Sequence, residues 1–137
     1  MPELQHPRAW ATLSVALLLV ATWLFLRPMP DSADWWFAWL GRLAESDKVL
    51  HFAAFTVFAA WFSSITTRRR WPATSAMLLL YGTLIEVAQG AMPTGRSAEL
   101  LDLVADALGI GLGFLLGAWF GRRTVLAIDA YWGRREQ

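Results

Sequence analysis

Apolar residues fall along the chain in four blocks, 9–26, 49–67, 71–92 and 100–120, separated by short polar or charged stretches. Each block is close to the roughly 20 residues that a helix needs to cross a hydrocarbon core. Blocks of that length, in place of the stripe of an amphipathic surface helix, predict membrane spans. The expected fold is therefore all-α: a single-domain integral membrane bundle of four transmembrane helices. The first block follows Arg8 as the apolar part of a signal peptide would. Its exit, "ATWLFLRPMP" (21–30), has no small-x-small cleavage pattern, so it reads as a retained anchor.

Composition strengthens this reading. With 56% hydrophobic residues, 9 Trp and 8 Phe in 137 residues, the chain is too apolar for a soluble domain of its size. Cysteine is absent, which excludes disulfides and thiolate metal sites. The basic residues sit at the ends of the blocks rather than in a stripe with stacking aromatics, so nucleic acid is not an expected partner. No motif calls for a cofactor or a metal.

The formal charge of +1 says little, but its distribution sets an orientation. Cytoplasmic loops retain Lys and Arg. In a four-span arrangement Arg8, Arg68, Arg69, Arg70, Arg122, Arg123, Arg134 and Arg135 lie on one side, and Arg27, Arg42, Lys48 and Arg96 on the other. The majority places both termini in the cytoplasm. Residues 31–46, with Trp35, Trp36 and Trp39, then form a short interfacial helix on the outer surface, either as a plain anchoring belt or as a grip on a lipid tail. Residues 121–137 form a cytoplasmic tail, interfacial or disordered, with Arg134 and Arg135 available to anionic headgroups.

This orientation collects the chemistry at the outer end. His51 lies one turn below Asp47 and Lys48, Glu86 and Gln89 approach the end of the third span, and Asp102 and Asp106 open the fourth. Helical spacing puts His51, Phe55, Phe58 and Phe62 on one face, and Gly82, Glu86 and Gln89 on another. In the last span Asp102 and Asp106 continue into Gly109, Gly113 and Gly117, a small-xxx-small row that permits close helix approach within the chain or in a homodimer. Intramembrane carboxylates are costly and generally face partners or a water-filled cavity. The candidate ligand-binding residues are Asp47, Lys48, His51, Glu86, Gln89, Arg96, Asp102 and Asp106. Interhelical hydrogen bonds alone need fewer ionisable groups, since a Ser or Thr supplies them at lower desolvation cost.

Three motifs, "DKVLHFAAF" (47–55), "LIEVAQGAMPTGR" (84–96) and "LLDLVADALGIGLG" (100–113), resemble those of the VanZ-like family of small bacterial membrane proteins. That family shows Asp-Lys-x-x-His-Phe opening a span, Glu-x-x-Gln before a Pro- and Arg-containing loop, and an Asp ahead of a Gly-rich final span. The resemblance covers roughly residues 45–118 and carries over to Asp47, Lys48, His51, Phe52, Glu86, Gln89, Arg96 and Asp102. Asp106 departs from it, standing where the family more often has Asn. The resemblance implies a multi-pass protein of the bacterial cytoplasmic membrane with an envelope-facing role. The family takes its name from a member that raises resistance to the glycopeptide teicoplanin, so a contribution to such resistance is implied here too.

Three functions remain. One is a non-enzymatic protein whose outward pocket binds a membrane lipid or lipid-linked envelope component, with Lys48, His51 and Arg96 meeting phosphate or carboxylate. Another is an intramembrane enzyme in which His51 and Glu86 act as base and acid, or His51, Glu86 and Asp102 hold a divalent metal. The third is an assembly scaffold. A proton or ion pathway would need polar groups across the inner halves of the spans, which carry only Ser63, Ser64, Thr66, Thr67, Thr74 and Ser75.

Overall fold

A computed structural model of the chain describes residues 4–26, 47–92 and 100–135. The expected outer interfacial helix, the loop carrying Arg96 and the side chain of Asp47 lie outside the described residues.

The described residues are helical almost throughout. Helix α1 runs over Pro7–Leu26 and α2 over Asp47–Ile65; a single 3-10 turn, Arg68–Arg70, leads into α3, Trp71–Ala91. Helix α4, Leu100–Leu116, passes through a π-helical turn at Gly117–Gly121 into α5, Arg122–Arg135. The starts follow from proline chemistry. Pro7 opens α1 and Pro72 lies in the first turn of α3, where no backbone N–H is needed and φ is already suitable. Past residue 120, where the sequence places the end of the fourth span, the helix continues through the π-helical turn, and the segment that sequence leaves as an interfacial or disordered tail is helical to Arg135.

Helices α1, α2 and the long rod are each apolar and long enough to cross a membrane. Helix α3 has 21 residues but is less apolar, because Trp71, Pro72, Thr74 and Ser75 fill its first turns and Glu86 and Gln89 its last. Its outward face is nonetheless apolar, with Leu80, Leu84 and Val87 each about 60% exposed. Helix α3 thus turns its polar Glu86 and Gln89 inward and its aliphatic residues outward.

The tightest packing joins α2 to α4. A Cβ on Gly109 would strike the carbonyl of Phe52, and one on Gly113 would meet the carbonyl of Thr56 and, at 2.9 Å, the backbone N of Ala60. Gly117 and Gly121 lie in the same way against Ser63 and Ser64, so the row ends in the π-helical turn. These glycines bring two backbones into contact within one chain. The core beneath is aromatic. Phe55 meets Phe58 edge-on at 5.4 Å, and Phe58 meets Tyr81 at 5.9 Å. Leu78, Ile85, Ile110 and Phe114 complete it. Tyr81 shares a 2.9 Å hydrogen bond with Thr22, which ties α3 to α1.

Candidate functional site

The second turn of α2, the last turns of α3 and the first two turns of α4 meet at one end of the bundle. There His51 and Asp106 are fully buried, Asp102 is 2% exposed and Glu86 7%. His51 is the hub. Its Nδ1 is hydrogen-bonded to Asp106 Oδ1 at 2.9 Å, and its Nε2 lies 3.2 Å from Glu86 Oε1, an ion-pair distance. Two carboxylates from two different helices thus flank one imidazole. Phe25, 4.9 Å away between ring centroids, and Phe55, stacked at 6.2 Å with its plane only 7° off, form apolar walls on the ring. Such walls exclude water, which strengthens the electrostatic contacts at the ring edge and raises the cost of leaving any group there unpaired.

Asp102 is held differently. It sits in the first turn of α4, where the helix dipole favours a negative charge. Lys48 Nζ approaches its Oδ1 at 3.7 Å, with the lysine side chain 40% exposed and the aspartate 3%. Lys48 is therefore the solvent-reaching end of an ion pair whose other end is buried, the form expected of a side chain that snorkels. Gln89, a candidate ligand-binding residue, donates from its Nε2 at 3.0 Å to the carbonyl of Phe25 in the last described turn of α1. The amide thus fastens α3 to α1 directly beside His51.

Of the residues expected at the site, His51, Glu86, Asp102, Asp106 and Lys48 come together, Gln89 borders them, and Arg96 and the Asp47 side chain lie outside the described residues. Among the described residues no three His, Asp or Glu side chains form a group able to hold a metal ion. The reason is geometric: Glu86 and Asp106 take opposite nitrogens of the ring, and Asp102 faces Lys48, so the donors diverge.

A family model described as VanZ/LLP1 matches residues 8–121. The chain belongs to the VanZ/LLP1 family. No curated protein and no solved structure matches it. The VanZ/LLP1 match contains every member of the His51 cluster and stops where α5 begins.

At the opposite end of the bundle lies a second buried polar cluster that the sequence did not reveal, centred on a residue beyond that match. Asp129 of α5, 2% exposed, accepts hydrogen bonds from the backbone N–H groups of Gln5 at 2.5 Å and His6 at 3.1 Å, and from Trp10 Nε1 at 2.9 Å. His6 Nδ1 lies 3.2 Å from the same carboxylate. Trp132 stacks on Trp10 at 5.2 Å, Trp61 lies against Trp10 at 5.6 Å, and Trp61 Nε1 donates to Ser14 at 2.9 Å. The signal was a spacing: Val125, Asp129 and Trp132 fall on one helical face, an arrangement a disordered tail has no need of.

Proposed function

We propose that this VanZ/LLP1 protein crosses the bacterial cytoplasmic membrane four times, with both termini in the cytoplasm, and holds the polar headgroup of a lipid or lipid-linked envelope component at the outward His51 end. The observation that carries the reading is the convergence of His51, Glu86, Asp102 and Asp106 from three helices at one depth, with Lys48 at the rim. Structural glue alone would not need three buried carboxylates, two on one histidine and the third on Lys48, because interhelical hydrogen bonds contribute only about 0.6 kcal/mol on average. A site that must hold a charged headgroup does need fixed, desolvated charge.

Chain parity supports the crossing number. Asp129 bonds to Gln5, His6 and Trp10, so the two ends of the described chain lie at the same end of the bundle. A chain that starts and finishes on one side crosses an even number of times, and three apolar helices plus α3 make four. The arginine majority supports a cytoplasmic side for that end.

Binding is favoured over chemistry because His51 is fully enclosed. An external group reaches Lys48 and Glu86 before it reaches the imidazole. A role in resistance to teicoplanin-type glycopeptides fits this placement, since a protein that occupies envelope headgroups alters what such a drug meets.

Native mass spectrometry of gently solubilised wild type beside Glu86→Gln, with melting curves on both, tests the reading. Retained lipid that the variant loses at unchanged melting temperature supports it. Bare wild type, with a variant that melts early, would leave the cluster a structural element.

A further inference from the structure

We propose that Asp106 is a positioning residue: it fixes the tautomer and orientation of His51, and Gly82 is the seat that lets it do so. The inference rests on the headgroup reading only for what the positioned imidazole serves. The geometry stands by itself.

Asp106 is fully buried and sits behind His51, where a ligand arriving past Lys48 and Glu86 does not reach. One of its oxygens, Oδ1, is 2.9 Å from His51 Nδ1. The other, Oδ2, is buried with no hydrogen-bond partner among the described residues. It lodges against Gly82 of α3, where a Cβ would strike that oxygen and lie 3.0 Å from Phe55 Cζ. Gly82 thus has a specific purpose one turn before Glu86: any side chain there pushes the Asp106 carboxylate off the imidazole. A carboxylate accepts and does not donate, so this contact places a proton on Nδ1. With Nδ1 committed, Nε2 is the nitrogen presented to Glu86, 3.2 Å from its Oε1. Asp106 therefore determines, through His51, what Glu86 presents to a headgroup. This is the logic by which a buried acid orients a histidine whose other nitrogen does the work.

The test is 15N NMR of the full chain labelled at histidine. There are two histidines, and the signal that survives in His6→Gln belongs to His51. The expected wild-type signature is a single species protonated at Nδ1. Asp106→Asn, whose carbonyl still accepts, keeps it. Asp106→Ala and Gly82→Ala each convert it to the Nε2-protonated form or to a mixture, although Gly82→Ala leaves every titratable group in place. An unprotonated Nδ1 in the wild type would overturn the proposal, as would a His51 spectrum indifferent to Gly82→Ala. Lipid retention on the same samples separates the two ideas. Wild type that retains no lipid but shows the Nδ1 signature and its loss in Gly82→Ala removes the headgroup reading and leaves the positioning role intact.

Discussion

Lys48 and His51 stand one turn apart on α2 and face carboxylates in opposite surroundings. The Lys48–Asp102 pair has one end in solvent, and such half-exposed pairs contribute about 0–1 kcal/mol. Lys48→Gln should therefore shift the melting temperature only slightly while lowering lipid retention in native mass spectrometry. Equal retention would remove Lys48 from the binding surface. His51 is fully buried between Asp106 and Glu86, and removing it leaves the buried Asp106 carboxyl without its hydrogen bond, at about 1–3 kcal/mol and more for a charged group. His51→Leu should accordingly melt far below wild type, and His51→Gln, which retains hydrogen-bonding atoms, should fall between them. The same distinction explains what could be read at this scale. Polar residues interrupting an apolar block mark themselves as buried and partnered, but the spacing that groups Asp106 with Asp102 does not say that one faces a lysine and the other an imidazole.

Between elements, glycine and one aspartate carry most of the specificity. The contacts of Gly113 are backbone atoms of Thr56 and Ala60 and the Cβ of Ala59, none of which can swing aside as a longer side chain would. Gly113→Leu should force α2 from α4 and sit at or beyond the upper end of the about 1–3 kcal/mol typical of overpacking. Gly111, with nothing within 4 Å of its Cβ position, is the internal control: Gly111→Leu should be tolerated in the same melting assay. At the other end, Asp129 joins α5 to the start of α1. Asp129→Ala leaves the buried indole N–H of Trp10, and the part-buried backbone N–H groups of Gln5 and His6, without their acceptor, at about 1–3 kcal/mol for a fully buried group. Faster hydrogen exchange at the start of α1 and along α5, with the His51 end unchanged, is the expected signature; Asp129→Asn should restore part of the protection. Uniform loss of protection would mean that the bundle does not separate into two ends.

For the whole molecule, four crossings with both termini inside is the statement to test. The chain has no cysteine, so single cysteines can be placed without background. Cysteines replacing Arg69 and Arg134 should be shielded in intact cells from a membrane-impermeant maleimide and should label after permeabilisation, whereas one replacing Ser97 should label from outside. Opposite labelling of the Arg69 and Arg134 positions would break the parity argument. The long rod formed by α4, the π-helical turn and α5, Leu100–Arg135, spans 36 residues, about 54 Å at 1.5 Å per residue, which exceeds a hydrocarbon core of roughly 30 Å. Its surplus length carries Asp129 back to the first residues of α1, which is why its last turns are packed instead of loose.

Block length and the position of each charged residue within a block are properties of the chain in one dimension, and an apolar surrounding turns them directly into structure because it penalises every exposed polar group. For that reason the helical class, the positions of the apolar helices and the group around His51 were legible in the sequence. Pairing is a different quantity. Which carboxylate takes Nδ1, that Gln89 serves the carbonyl of Phe25, that Gly82 makes room for Asp106, and that Asp129 holds the N-terminal residues all depend on helix rotation and backbone approach. Those are set by side-chain volumes meeting across helices distant in sequence, and only the packed bundle decides them.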